Sequence, residues 1–155
     1  MTALEALQRA PLFEGFSATG LKVFAAIAVE RTLEAGSRLF AEGEAGEAMY
    51  VVKSGALRLV QRGEKGERQV GTVGPGDHVG ALALLAPDVR LVTASAGVAT
   101  EVVELGRRAF FKVAQEKPQA CLKLALLIAA DLARRVGENR TALSEALSRA
   151  AEKPH

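Results

Sequence analysis

The sequence predicts a mainly β protein: an antiparallel, jelly-roll-like β-roll, with N-terminal helices before it and a long C-terminal helix after it. Between residues 29 and 105, apolar or β-branched runs of three to seven residues alternate with glycine-containing turns. Such spacing is typical of the corners of a small barrel or sandwich. On both sides of this region, apolar residues recur three and four positions apart, which indicates helices.

The length of 155 residues is that of a single domain. We expect it to comprise N-terminal helices in residues 1–28, the β-roll in residues 29–105 and C-terminal helices in residues 106–152. Composition is ordinary for a globular protein, with 49% hydrophobic and 25% charged residues. A net charge of +2 is too small to indicate a nucleic-acid-binding surface.

Composition also excludes several classes of site. The single Cys121 permits neither an internal disulfide nor a cysteine-based metal cluster, and favours a reducing cytoplasm. Two histidines, His78 and His155, are too few for a histidine-rich metal centre of the kind found in small β-barrel enzymes. There is no signal-like N-terminus, and the longest apolar run, at residues 124–130, is too short to span a bilayer. We therefore expect a cytoplasmic, non-enzymatic protein without a metal or a membrane segment.

Individual elements follow from local patterns. Helices are predicted over residues 2–8 and 17–28, the second with Ser17 as its N-cap. Predicted strands occupy residues 31–33, 38–40, 49–53, 56–61, 68–73, 90–96 and 101–105. A helix over residues 107–115 precedes a long helix that starts at Pro118, which suits a first helical turn, and runs to about Ala151.

The long helix carries a second pattern. Apolar or small residues with one asparagine recur at alternating intervals of three and four: Ala129, Leu132, Val136, Asn139, Leu143, Ala146 and Ala150. This heptad spacing predicts a parallel homodimer along the helix. Residues 119–128 are apolar nearly all round and are expected to pack on their own β-roll. Gly137 weakens the helix by roughly 1 kcal/mol relative to alanine and is a candidate bend.

The stretch at residues 74–93, GPGDHVGALALLAPDVRLVT, has the parts of a phosphate site. Glycines allow close approach of the backbone, the first amides of a short helix donate outward, and Arg90 offers a planar fork. The alternative is a tight turn, a buried helical turn and an ordinary surface arginine. A dinucleotide-binding fingerprint fits poorly, since the spacing is G-x-G-x-x-x-G and no βαβ unit follows.

Several motifs in order resemble the cyclic-nucleotide-binding domain of catabolite activators, cAMP-dependent kinase regulatory subunits and gated channels. They are PLFEGFS at residues 11–17, the series Gly36, Phe40, Gly43, Gly46, Tyr50 and Gly55, GPGDHVGALALL at residues 74–85, Arg90, the pair Phe110 and Phe111, and LARRV at residues 132–136. The resemblance spans residues 10–140 and implies the same β-roll with a C-terminal dimerisation helix.

The family's phosphate cassette reads approximately F-G-E-L-A-L-x-x-x-x-R-A-A. The resemblance implies a ligand site at Gly80, Ala81, Leu82, Ala83, Arg90, Leu91 and Asn139. Ala81 stands where the family has the glutamate that binds the ribose 2′-hydroxyl, and Leu91 replaces a small residue. Asp77 and Asp88 lie nearby but out of register, as turn residues do. Asn139 either sets the register of the dimer seam or contacts the base.

Two functions remain open. In one, the chain is a regulatory module that binds cAMP, cGMP or another small anionic ligand with weakened affinity and signals through its C-terminal helix and dimer. In the other, it is a ligand-free pseudo-sensor that serves as a dimerising scaffold for a protein partner. The family's DNA-reading domain follows the long helix, and the chain ends at His155. We therefore expect no DNA binding, no cofactor and a protein partner downstream.

Overall fold

The computed structural model describes residues 1–152, except for the side chains of Leu143 and Glu152. Its helices are α1 (Ala3–Arg9), α2 (Ala18–Ala25), α3 (Leu82–Leu85), α4 (Arg107–Glu116), α5 (Pro118–Glu138) and α6 (Arg140–Glu152), with a 3₁₀ turn at Pro11–Phe13. The order of helices, β-roll and helices agrees with the predicted fold class.

The ten strands form two four-stranded antiparallel sheets and one short pair. They are β1 (Val29–Leu33), β2 (Arg38–Phe40), β3 (Ala45–Gly46), β4 (Ala48–Ser54), β5 (Leu57–Gly63), β6 (Gly66–Val73), β7 (His78–Val79), β8 (Asp88–Val89), β9 (Thr93–Ala96) and β10 (Thr100–Gly106). The first sheet has the order β1-β10-β4-β7 and the second the order β2-β9-β5-β6, while β3 pairs with β8. The short pair therefore lies on the chain segments that flank the predicted phosphate stretch.

Strand β4 separates two hydrophobic cores. Successive side chains of a strand point to opposite faces, and here both faces are buried. Met49 and Val51 pack among the helices, whereas Tyr50 and Val52 pack inside the roll against the second sheet. The first sheet is thus covered by helices on one side and by strands on the other. This arrangement fixes the position of β7, which pairs with β4 at the sheet edge.

The local signals for the helix starts are confirmed. The hydroxyl of Ser17 accepts a hydrogen bond from the Gly20 amide at 3.1 Å, which caps α2. Pro118 stands in the first turn of α5, where its missing N–H costs nothing. Phe13 and Phe24 are buried in the helical core with their ring centroids 6.0 Å apart, so they anchor the N-terminal segment to the first sheet.

Several boundaries differ from the sequence prediction; the helix predicted over residues 17–28, for example, ends at Ala25, and two further differences concern the site. The strand expected over residues 90–96 is confined to Thr93–Ala96, because the backbone of Arg90 bonds to the turn at residues 43–44. The single long helix is interrupted at Asn139, which leaves helical geometry with φ −103° and ψ 25°. The expected bend at Gly137 therefore occurs two residues later. Within residues 1–152, no helix has both the length and the apolarity that crossing a membrane requires.

Candidate functional site

The candidate site is built around the turn that joins β7 to α3. Gly80 has φ +78°, a left-handed conformation that side-chain-bearing residues rarely adopt. The amides of Ala83 and Leu84 donate to the carbonyl oxygens of Gly80 and Ala81, both at 3.1 Å. This leaves the amides of Ala81 and Leu82 available to a ligand. The sharp turn therefore places backbone donors at the mouth of the roll.

Arg90 reaches this site from the segment that follows β8. Its backbone N–H donates to the Glu44 carbonyl and its own carbonyl accepts from the Gly43 amide, both at 2.8 Å. These two bonds clamp the segment after β8 to the turn before β3. The side chain is therefore directed inward, and Arg90 is only 5% exposed. The alternative of an ordinary surface arginine is wrong.

The guanidinium of Arg90 is packed but only partly hydrogen-bonded. Its Nη2 donates to the Ala48 carbonyl at 2.6 Å, and its Cζ lies 4.2 Å from the centre of the Phe40 ring. The Nε and Nη1 atoms are buried without a hydrogen-bond partner among the described residues. An unpaired buried cation is costly, and a guanidinium pairs best with two oxygens of one anion. The geometry thus suits an anionic ligand.

Two glycines make room for this guanidinium. A Cβ at Gly46 would lie 2.9 Å from Cζ and Nε of Arg90, closer than real Cβ contacts, and a Cβ at Gly80 would collide with Nη1. The role of both glycines is steric, and that of Gly80 is also conformational. The unpaired Nη1 therefore lies beside Gly80 and the unpaired Nε beside Gly46.

A cavity of about 550 Å³ adjoins the turn and Arg90, within the usual range for small-molecule sites. Of the seven predicted site residues, five line it: Gly80, Ala81, Leu82, Arg90 and Leu91. Ala83 is fully buried in the protein interior. Asn139 does not line the cavity; its side-chain amide donates to the Arg135 carbonyl at 2.8 Å at the end of α5. A contact between Asn139 and a ligand therefore stays a prediction.

A second cavity of about 650 Å³ also touches Arg90, on its other side. Three carboxylate side chains line it, those of Glu44, Glu47 and Glu104, together with Arg107 and Arg108. Charge does not favour either cavity, since the first is also lined by three carboxylates, but only the first is lined by the turn at Gly80 and by five of the predicted site residues. The cavity beside Gly80 is therefore the candidate site.

Helix α5 closes one wall of the candidate site with a cluster that sequence reasoning missed. Asp131, Leu132 and Arg135 line the cavity together with His78 of β7. The Asp131 carboxylate accepts from Arg134 Nη2 at 2.5 Å and from Arg135 Nε at 2.9 Å, and His78 Nε2 is 3.3 Å from its Oδ2. The pattern Asp131–Arg135, four residues apart on a helix, was the only local signal of this cluster.

The cluster shifts the pKa values of His78 and Asp131, and the hydrogen bond to Asp131 raises the pKa of Arg134. Burial lowers the pKa of His78 below its ordinary 6.5, and the neighbouring Asp131 offsets part of that effect. Burial opposes ionisation of Asp131, but the hydrogen bond from Arg134 and the charges of Arg135 and His78 outweigh it and lower the pKa of the carboxyl. His78 is consequently neutral and Asp131 ionised at neutral pH.

Comparison with known proteins identifies the family. The profile described as "Cyclic nucleotide-binding domain" matches residues 30–117, more than half of the chain. The chain belongs to this family. The match includes the turn at Gly80, Arg90 and both sheets.

Individual relatives cover different amounts of the chain. It is 30% identical over 124 residues to the cyclic AMP receptor protein of Thermus thermophilus, across 79% of this chain and 57% of that protein. It is 36% identical over 110 residues to lysophospholipase NTE1 of Pyricularia oryzae, across 70% of this chain and only 7% of that protein. The chain thus corresponds to a small part of the fungal lysophospholipases and to just over half of the receptor protein.

Solved structures give the same result. The Thermus thermophilus catabolite activator protein superposes with a TM-score of 0.78 and 31% identity, over 90% of this chain and 63% of that one. The regulatory domain of Toxoplasma gondii PKA, solved in complex with cAMP, superposes with a TM-score of 0.63 and 36% identity, over 71% of this chain and 42% of that one. The family and the β-roll fold are therefore shown.

Proposed function

We propose that the chain is a non-enzymatic cytoplasmic sensor module whose β-roll binds a cyclic nucleotide or a related phosphate ligand. The observation that carries this proposal is the buried guanidinium of Arg90, whose Nε and Nη1 atoms lack partners, with Nη1 beside Gly80 and Nε beside Gly46. A phosphate would accept from both atoms and from the amides of Ala81 and Leu82. The relative from Toxoplasma gondii was solved with cAMP, which supports cAMP as the first ligand to test.

Affinity for a cyclic nucleotide is weakened in this proposal. Ala81 lines the cavity but offers no side-chain acceptor to a sugar hydroxyl. A hydrogen bond to a charged group contributes about 1.5–3 kcal/mol, so its loss reduces affinity roughly 10- to 150-fold. We therefore expect dissociation constants in the micromolar range or weaker.

Signalling in this proposal proceeds through α5 and a homodimer. Helix α5 contributes Asp131, Leu132 and Arg135 to the cavity wall, so a ligand would contact it directly. Its opposite face carries exposed apolar side chains at Leu122 and Leu126, which suit a second copy of the chain. A protein partner would then recognise the resulting arrangement of helices.

Titration calorimetry with cAMP and cGMP tests the ligand. Saturation at 100 times the dissociation constant adds about 2.7 kcal/mol of stability, so a thermal-shift measurement gives a second readout. Arg90→Gln keeps a polar side chain but removes the charge and the terminal guanidinium donors, and we expect it to abolish binding. Arg135→Gln, at the rim of the same cavity, is the matched control and should retain most of the affinity.

The second candidate function is a ligand-free dimerising scaffold, which Ala81 favours because the sugar acceptor is lost. It predicts that titration of the wild-type chain with cAMP or cGMP releases no binding heat. It also predicts that neither nucleotide changes the melting temperature. A wild-type chain that binds neither cAMP, cGMP nor inorganic phosphate would establish this alternative.

A further inference from the structure

From the lining of the candidate cavity, we infer that it takes a ligand with one anionic group and an apolar body. Arg90 holds the anionic group, and apolar side chains around the mouth hold the rest. This inference rests on the proposed function, since it concerns the same cavity, and it narrows the class of ligand. In a site of this kind, apolar contacts to the ligand body take the place of the polar contacts that a sugar and a base would make.

The polar end of the cavity is confined to one place. Among the described residues, Arg90 is the buried residue with unpaired donors; its Nη1 lies beside Gly80, which lines the cavity, and its Nε lies beside Gly46. At the rim, His78 and Arg135 are already engaged by the Asp131 carboxylate. The other charged lining residues, Asp77 and Asp88, are carboxylates and would repel a second anionic group. One anionic group per ligand therefore fits the charges.

Elsewhere the lining is largely apolar. Side chains from three parts of the chain meet at the mouth: Leu59 and Val70 from the β5–β6 hairpin, Leu82 and Leu91 from the segment around Arg90, and Leu132 from α5. Several of them contact solvent, with Leu91 73% exposed and Val70 42% exposed. Exposed apolar side chains that rim a cavity mark a binding site. A hydrophobic body would remove them from water.

The residue at position 81 also favours a ligand with an apolar body. Ala81 lines the cavity between Gly80 and Leu82 and has only a methyl side chain, so it brings no polar side-chain group to this part of the wall. A ligand with hydroxyl groups there would lose hydrogen bonds to water without replacement. An alkyl or aryl group makes no hydrogen bonds to water and would therefore lose none there.

A homologous series of ligands tests the inference. Calorimetry compares inorganic phosphate with ethyl, butyl, hexyl and octyl phosphate, below their micelle-forming concentrations, and with cAMP. Each methylene buried in the mouth should strengthen binding by up to about fourfold until the cavity is filled. Octyl phosphate should then bind more tightly than cAMP.

Substitutions locate the effect. Leu91→Ser should weaken octyl phosphate several-fold while leaving inorganic phosphate unchanged, because only the apolar body touches that side chain. Val98→Ser is the matched control, since Val98 is exposed in the β9–β10 turn away from the cavity, and it should change neither affinity. Arg90→Gln should abolish binding of both ligands.

Three outcomes overturn the inference. If the affinity for alkyl phosphates does not increase with chain length and cAMP binds more tightly than octyl phosphate, the cavity is a nucleotide site. The proposed function would then still hold. Loss of binding for every probe, including inorganic phosphate and cAMP, would remove the proposed function as well. If Leu91→Ser instead converts a dimer to a monomer in light scattering without changing affinity for octyl phosphate, the mouth is a protein interface.

Discussion

His78 Nε2 lies 3.3 Å from Oδ2 of Asp131, which connects β7 to α5 across 53 positions of sequence. His78 is two residues before Gly80, and Asp131 is four residues before Arg135, which lines the same cavity. Both side chains are largely buried. A shift of the turn at Gly80 on ligand binding would therefore be transmitted through this contact to α5, the helix proposed to carry the signal.

This contact predicts a pH dependence of stability. Because burial lowers the pKa of His78 below 6.5, the unfolded chain takes up a proton at a pH where the folded chain does not. The free energy of unfolding should thus fall as pH decreases through 6.5 toward the lower folded pKa, and recover above 6.5. Asp131 and Asp77 oppose the shift and Arg135 adds to it.

Thermal melts at pH 7.5 and pH 5.5 measure this effect. In His78→Gln the titrating group is gone, so the drop in melting temperature between the two pH values should shrink. In Asp131→Asn the carboxylate that partly offsets burial is lost, so the drop should grow. An identical drop in wild type and His78→Gln would assign the pH dependence to other groups.

Gly80→Ala should damage both stability and binding. The substitution forces a side chain into φ +78°, which costs about 1–2 kcal/mol, and its Cβ would displace the Arg90 guanidinium. Gly36→Ala is a matched control, because Gly36 has φ +87° but no atom within 4 Å of an added Cβ. We expect both variants to lose stability in chemical denaturation, and only Gly80→Ala to lose phosphate binding. Equal losses of stability with full binding would contradict the contact with Arg90.

Ala81→Glu tests whether the weakened sugar site can be restored. The new carboxylate would enter the cavity beside Leu82 and accept from a ribose hydroxyl, so cAMP or cGMP should bind more tightly by about 1.5–3 kcal/mol. Calorimetry measures the gain, and Ala81→Gln gives the neutral comparison. Should Ala81→Glu bind no cyclic nucleotide, Leu91 closes the pocket to a sugar and the scaffold function or the apolar ligand class gains support.

The dimer proposed along α5 can be tested at its exposed apolar face. Leu126 is 61% exposed and Val136 is 49% exposed on this helix. Leu126→Glu would place two charges in an apolar seam, and we expect the mass in light scattering to fall to that of one 16.3 kDa chain. Val98→Glu, a charge introduced at an exposed valine elsewhere, should leave the mass unchanged. A wild-type protein that is already monomeric at tens of micromolar would refute the dimer.

The exposed apolar side chains of α5 begin before the predicted seam, which stays a prediction. Residues 119–128 were expected to pack on the roll; Cys121, Leu124 and Ile128 do so, but Leu122 and Leu126 face outward. At the other end, the interruption at Asn139 separates Val136 from Leu143, whose side chain lies outside the described residues. The predicted heptad pattern is therefore divided between α5, with Ala129, Leu132 and Val136, and α6, with Ala146 and Ala150.

Features that depend on neighbouring residues could be predicted from the sequence. Ser17 caps α2 and Pro118 starts α5 because such signals act within one helical turn. Alternation of glycine turns and short apolar runs specified the β-roll, and the register of Arg90 after Gly80 placed it in the site. These patterns have periods of a few residues, so they can be recognised without knowledge of the tertiary contacts.

The environment of each site residue, by contrast, depends on how distant segments pack together. Arg90 could have been a surface arginine; its burial follows from hydrogen bonds to residues 43–44 and Ala48, which lie more than 40 positions away. The contact between His78 and Asp131 and the apolar mouth around Leu91 likewise arise where separate segments pack together. Local periodicity carries no information on such long-range contacts, because they depend on how the whole chain buries its apolar surface.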